Sequence, residues 1–311
     1  MFSRLSFSLP RLYLGNTVFS KFSSNTIVRY SPALQFSFSK RYSGASQSCQ
    51  NQSNPSNHQE LLARRTIVSN KNDDYVMAHP IWSQDQMKQI QQTSRIRQCF
   101  VDSSAYWTIQ TIRFNFDWMS GWKFRFGNLE SKALTRIIFL ESIAAIPGSI
   151  AGTLRHLASL RNMRRDHGWI HSLLLEAENE RMHLLTAIQL KNPGRFMRSM
   201  VFLSQGLFYN FFWVSYMISP KFCHRLVGYL EEEAVKTYTK MLADCDAGLM
   251  PSWNNVGQAP EIARKYWKLP ETATMRDVIE LIRADEAHHR DVNHVFGDLK
   301  PNQLNPFKAG C

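Results

Sequence analysis

Two copies of Glu-x-x-His stand far apart in this chain: Glu180-Arg181-Met182-His183 and Glu286-Ala287-His288-His289. On a helix, a spacing of three puts both side chains on one face about one turn apart, so each pair can clasp one metal ion. The same geometry chooses between the adjacent histidines. His288 lies about 200° around from Glu286, so His289 is the ligand candidate and His288 the bystander. Two such pairs on separate helices become a specific signal if two further helices each contribute a single Glu, the arrangement of di-iron carboxylate four-helix bundles.

The rest of the chain supplies those helices. From about residue 100 the apolar periodicity is helical, without alternating strands or internal repeats. It predicts helices at roughly 102–125, 130–160, 167–190, 194–218, 221–247 and 274–298. Asn192-Pro193-Gly194 stops the third, Pro220 opens the fifth, and "PSWNNVGQAP" at 251–260 is a long irregular connection. Glu141 stands alone in an apolar helix, where a metal bond would compensate a costly charge. In "YLEEEAVKTYT", 229–239, Glu232 precedes Lys236 by four and reads as a solvent-side ion pair. Glu231 precedes Tyr238 by seven and shares its face, so Glu231 is the fourth carboxylate. The candidate set is Glu141, Glu180, His183, Glu231, Glu286 and His289. Oxygen donors with one imidazole per ion suit two iron or manganese ions rather than zinc or copper. The five cysteines are scattered without CxxC or zinc-like spacing, which argues against a disulfide scaffold and a structural zinc.

The formal charge of +12 is uneven, since the first 59 residues contain no Asp or Glu. Arg4, Arg11, Lys21, Arg29, Lys40 and Arg41 punctuate a Ser-, Phe- and Leu-rich stretch, the composition of a mitochondrial transit peptide. Without residues 1–41 the balance is 31 basic against 25 acidic, or +6. No aromatic-basic motif supports a nucleic-acid partner. Polar low-complexity sequence at 43–60 reads as a disordered linker, taken to run over 42–75, which leaves 76–311 as the folded domain. Within that domain, 199–220 is uncharged and long enough to span a bilayer, and 137–154 is a second apolar run interrupted by Glu141.

"LESIAAIPG" (140–148), "EAENERMHLLT" (176–186), "YLEEEAVKTYT" (229–239) and "RADEAHHRDVNH" (283–294), in this order, resemble the four signature blocks of the alternative oxidases. The resemblance extends from about Ala105 to Asp298. In that family the residues matching the six above are the di-iron ligands. The resemblance implies an all-α, ferritin-like di-iron bundle with additional membrane-interfacial helices. It also implies a cyanide-insensitive ubiquinol oxidase of the mitochondrial inner membrane, which reduces oxygen to water without pumping protons and forms a homodimer on one leaflet. A spanning 199–220 would put His183 and Glu231 on opposite sides of the membrane, about 30 Å apart. The helices at 102–125 and 194–218 are therefore expected to lie in the membrane plane. Arg113, Lys123, Arg125, Arg195 and Arg198 would then face anionic headgroups.

By the same resemblance Tyr238 is implicated in oxygen reduction, and Asn179 and Asp285 match residues that orient the ligands. The quinol pocket would use Arg113, Asp117, Arg136, Leu140, Leu230, Glu233, Ala234 and Thr237. Arg136 would stand at the mouth of an apolar slot, and Arg113 with Asp117 suits an i, i+4 ion pair. Trp267 matches a family aromatic whose default reading is packing. Leu175 stands where many members have another glutamate, and Thr135 stands where plant members carry a cysteine, which puts thiol or 2-oxo-acid regulation in doubt. A plastid quinol oxidase, a quinone hydroxylase and an iron-storage protein share the bundle. The plastid insertion near the last block is absent, and the apolar 194–218 argues against a soluble cage.

Overall fold

In the computed structural model residues 77–122 and 127–308 are described; the expected leader and linker, Lys123 and Arg125 lie outside them. Local sequence sets where the helices begin. Asn128 caps one by accepting from the Ser131 N–H, and Ser219 caps another, with Pro220 in its first turn, by accepting from Phe222. Thr274 and Asp277 form a reciprocal capping box for the last. The order is α1 (Gln84–Lys88), α2 (Phe100–Met119), α3 (Leu129–Asn162), α4 (Trp169–Leu190), α5 (Arg195–Ile218), α6 (Pro220–Asp246), α7 (Glu261–Tyr266) and α8 (Met275–Asp298). Among the described residues there is no strand. The six long helices match the sequence reading within a few residues, except that α2 ends at Met119 rather than near 125. The connection at 251–260 holds a 3-10 turn, Pro251–Asn254, and α7 follows it directly, both too short to show a period.

Helices α3 and α4 pack as one pair, α6 and α8 as another, and the pairs face each other; α2 lies on α6, and α5 on α3 and α6. Two hydrophobic clusters fill the bundle, and every bundle helix passes from one to the other. On α3, Ala133 to Ile138 belong to the first cluster and Ile150 and Ala151 to the second. On α6, Cys223 to Tyr229 lie in the second and Tyr238 to Cys245 in the first; on α8, residues up to Ala284 lie in the first and Val292 and Phe296 in the second. Glu141, Glu231 and the 285–289 stretch fall at these crossings, where polar groups interrupt the apolar fill.

The α3–α4 contact rests on Pro147-Gly148. A Cβ on Gly148 would collide with the Leu173 carbonyl oxygen and stand 3.1 Å from the Ala177 nitrogen. Because those neighbours are backbone, the helices themselves must separate. Gly148→Ala is therefore expected to destabilise the chain by about 1–2 kcal/mol, the cost of overpacking exceeding the helix propensity gained. Thermal denaturation should show a midpoint lower by roughly 2–8 °C; an unchanged midpoint would mean the pair separates freely.

Candidate metal centre and adjoining cavity

The structure brings ligand atoms of Glu141, Glu180, His183 and Glu286 within 4.8 Å of one another, all buried. His183 Nδ1 stands 3.5 Å from Glu141 Oε2, 3.6 Å from Glu180 Oε2 and 3.4 Å from Glu286 Oε1. His289 Nδ1 lies 2.8 Å from Glu180 Oε1 and 3.9 Å from Glu286 Oε2. Glu231, also buried, sits against Glu286. Both Glu-x-x-His pairs and both single carboxylates thus meet at the middle of the bundle.

These atoms face a common point instead of satisfying one another. Glu141 Oε2, both Glu180 carboxylate oxygens, His183 Nδ1 and His289 Nδ1 are buried without a hydrogen bond in good geometry. Orphaned buried polar atoms are costly, and five in one place, all from carboxylates and imidazoles, fit a metal ion. Burial and the Glu180 charge push the Glu141 carboxyl well above its usual value, and burial and the Glu286 charge do so for Glu231. Burial would raise Glu180 too, but Glu141, His183 and His289 beside it hold it well below. Burial opposes the charge on His183, yet Asp285 and the surrounding carboxylates hold it well above its usual value; Glu180 likewise takes His289 up to about 9.

Removing metal should make stability depend on pH. Glu141, Glu231, His183, His289 and nearby Glu176, which burial raises to about 7, bind protons more tightly folded than unfolded. Their contribution is complete below the unfolded values of 4.5 and 6.5 and is lost as pH rises through the folded ones. Glu180 and Asp285, with lowered values, lose theirs only on acidification below the unfolded 4.5 and 3.8. The chelated chain is therefore expected to melt at steadily lower temperature from about pH 5 to about pH 9, and the metal-loaded chain is not. Parallel pH profiles with and without chelator would show that metal binds elsewhere.

Asp285 organises the outer layer. Its Oδ2 lies 3.2 Å from His183 Nε2 and accepts from Asn179 Nδ2 and Trp267 Nε1, each at 3.0 Å, while Oδ1 accepts from Trp82 Nε1 at 2.6 Å. Burial would raise this carboxyl, but the bond to His183 and its charge hold it below the usual range. With Nε2 held, His183 presents Nδ1 to the cluster. Asn179 also donates to Tyr266 Oη at 3.0 Å. Trp267, expected to be packing, is a donor to this carboxylate. Trp82 lies far upstream of the four signature blocks, and nothing local in the sequence marks it. His288 points away beside Trp82, and burial lowers it to about 4. Tyr238, whose pKa burial and Glu141 push up, donates its hydroxyl to Glu141 Oε1.

On the other side of the cluster a cavity of about 550 Å³ opens between α2, α3, α5 and α6. Arg113, Arg136, Leu140, Leu230, Glu233, Ala234 and Thr237 all line it, and its inner end reaches Glu141, Glu231, Glu286 and Tyr238. Asp117 stands behind the wall, 2.6 Å from Arg136 Nη1 and 3.5 Å from Arg113 Nε. Arg136 is buried, stacked over Phe116 and Trp122, so it belongs to the wall and not to the mouth. Arg113 also turns inward, to Glu233 Oε2 at 2.5 Å, and does not join Arg195 and Arg198 on the exposed surface. Ser204, Leu207, Phe208 and Phe211 of α5 also line it. Sequence reasoning missed them because their aromatic spacing is the same for a lipid face and a cavity face.

The Glu232 assignment needs correction. Glu232 is buried, accepts from the Arg95 N–H at 2.7 Å and lies 3.0 Å from His294 Nε2; Lys236 instead pairs with Glu233 Oε1 at 2.8 Å. The i, i+4 rule found a partner on the same helix and could not see the two segments that pack over it. Thr135 accepts from Lys191 Nζ at 2.6 Å, and Leu175 is buried.

The family described as alternative oxidase matches residues 82–298. The chain is 46% identical over 263 residues to "Alternative oxidase, mitochondrial" of Aspergillus niger, covering 80% of this chain and 74% of that protein. It is 49% identical over 234 residues to the protein of the same name from Trypanosoma brucei brucei, covering 73% and 70%. The Emericella nidulans protein is 48% identical over 241 residues, covering 74% and 68%.

Proposed function

The chain belongs to the alternative oxidase family, and from that premise we propose that its buried cluster holds two iron ions and that the α2–α3–α5–α6 cavity is where ubiquinol is oxidised. The protein is a mitochondrial, cyanide-insensitive terminal oxidase that passes electrons from quinol to oxygen. The observation that carries the two-iron reading is the set of orphaned ligand atoms on Glu141, Glu180, His183 and His289, joined by Glu231 and Glu286. Four carboxylates offset the charge of two divalent ions, which counters the burial and like-charge repulsion that otherwise raise the Glu141 and Glu231 carboxyls well above their usual value.

Bound iron supplies the one-electron redox changes that the side chains here do not. The chain supplies position and protons. Arg113 and Arg136, held by Asp117 and Glu233, offer charged groups to the quinol oxygens, while Leu140, Leu230 and Ala234 exclude water from the ring. Tyr238 holds a proton on Glu141 Oε1 at the inner end of the cavity. Asn179 and Asp285 fix the His183 ring.

We read the chain as attached to one leaflet of the inner membrane. Phe100, Trp107, Phe114 and Trp118 on α2, and Phe202, Leu203, Leu207 and Ile218 on α5, expose apolar side chains beside the cavity. Helix α3 is long and apolar enough to cross a membrane, but it carries buried Glu141 inside the bundle. The homodimer and a leader at 1–41 rest on the family and on composition.

The test is oxygen uptake driven by ubiquinol, with cyanide present, in membranes expressing residues 42–311. Uptake that persists in cyanide, with about two irons per purified chain, is the expected result. Two bound irons without uptake would move the assignment to a quinone hydroxylase.

A further inference from the structure

A second, smaller cavity touches the cluster from the side opposite the quinol cavity, between α4 and α8, and the two share no lining residue. Its volume is about 20 Å³, room for about one water. The lining is polar where it meets the cluster, with Glu176, Asn179, Asp285 and His289, and its outer wall includes half-buried His79 and exposed Lys308. Asn179 Oδ1 is buried and makes no hydrogen bond, although Asn179 Nδ2 makes two. Those two bonds fix which end of the amide is oxygen, because Asp285 can only accept. An unpartnered buried acceptor at a water-sized cavity that also holds the Glu176 and Asp285 carboxylates calls for a donor from solvent.

We propose that this cavity is a water port: it binds an ordered water on Asn179 Oδ1 and is the route by which product water leaves the centre. The inference rests on the oxidase reading. Two quinols release four electrons and four protons and become two quinones, and one O₂ takes up all eight to give two H₂O. The quinol cavity offers leaving water mostly aliphatic and aromatic walls, from Ile109 and Ile112 to Phe208 and Phe211. The α4–α8 cavity offers the Glu176 carboxylate, itself held by Asn293 Nδ2 at 2.8 Å, and the Asn179 carbonyl. Water therefore partitions away from the quinol side.

Ser172 lines the port on α4, so Ser172→Leu fills it without touching the quinol cavity. Leu175→Phe fills it from the adjoining wall if loss of the Ser172 bond to Asn305 prevents folding. The experiment pairs a water-resolving crystal structure of the iron-loaded chain with steady-state quinol oxidation, for wild type and filled variant. We expect a water on Asn179 Oδ1 in the wild type, its loss in the variant, and a kcat about fivefold or more lower with the quinol KM unchanged. No water in the wild type overturns the site, and an unchanged kcat with the cavity filled overturns the route. A wild type that holds the water but does not oxidise quinol fails the oxidase reading, and the port falls with it.

Discussion

Glu286→Ala is expected to lose cyanide-resistant, quinol-driven oxygen uptake by about 100-fold or more, and to lose bound iron with it. The size follows from position. Glu286 Oε1 is 3.4 Å from His183 Nδ1, Oε2 is 3.9 Å from His289 Nδ1, and Glu231 packs against the same carboxylate. Glu286 thus reaches both histidines, as Glu180 also does, and packs against Glu231 besides. Removing it takes away candidate ligand oxygens and, on the two-iron reading, one of the four negative charges that balance the ions. Several kcal/mol of charge stabilisation disappear, and each 1.4 kcal/mol is tenfold in rate. Folding should survive, because Glu286 lies between the two hydrophobic clusters and belongs to neither. Iron analysis beside oxygen uptake and a circular dichroism melt checks all three statements. A variant that keeps both irons and wild-type turnover would remove Glu286 from the ligand set.

Much of this arrangement was legible in the sequence because helical spacing is rigid. A residue three positions on shares a face whatever surrounds it, so Glu180 with His183, and Glu286 with His289, could be paired before any fold was known. Pro220 and the Asn192-Pro193-Gly194 stop worked for the same local reason. What failed depended on contacts between distant segments. Glu232 looked solvent-facing because Lys236 was the only partner its own helix offered, while its real partners, Arg95 and His294, come from elsewhere. Trp82 and Trp267 carry no mark that both will donate to Asp285. Arg136 and Arg113 both line the cavity, but their orientation depends on Asp117 and Glu233, which come from two different helices and which no local spacing reveals.

Tyr238→Phe separates holding the metal from using it, and a turnover roughly 10- to 100-fold below wild type with iron retained is the expected outcome. The phenol ring is buried in the first hydrophobic cluster, packed with Met241 and Ile137, and phenylalanine keeps that packing. Only the hydroxyl goes. It is the group that donates to Glu141 Oε1, so the carboxylate loses its sole hydrogen bond among the described residues at the end of the quinol cavity. Burial and the nearby carboxylates push the phenol pKa well up, so Tyr238 stays protonated and its hydroxyl is always a donor. A structural role would lower the melting temperature and iron content together with rate. A role in moving protons or electrons leaves both unchanged, leaves the quinol KM unchanged, and lowers kcat alone. If kcat were preserved, the hydroxyl would be no more than a hydrogen bond that orients Glu141, and oxygen reduction would proceed without it.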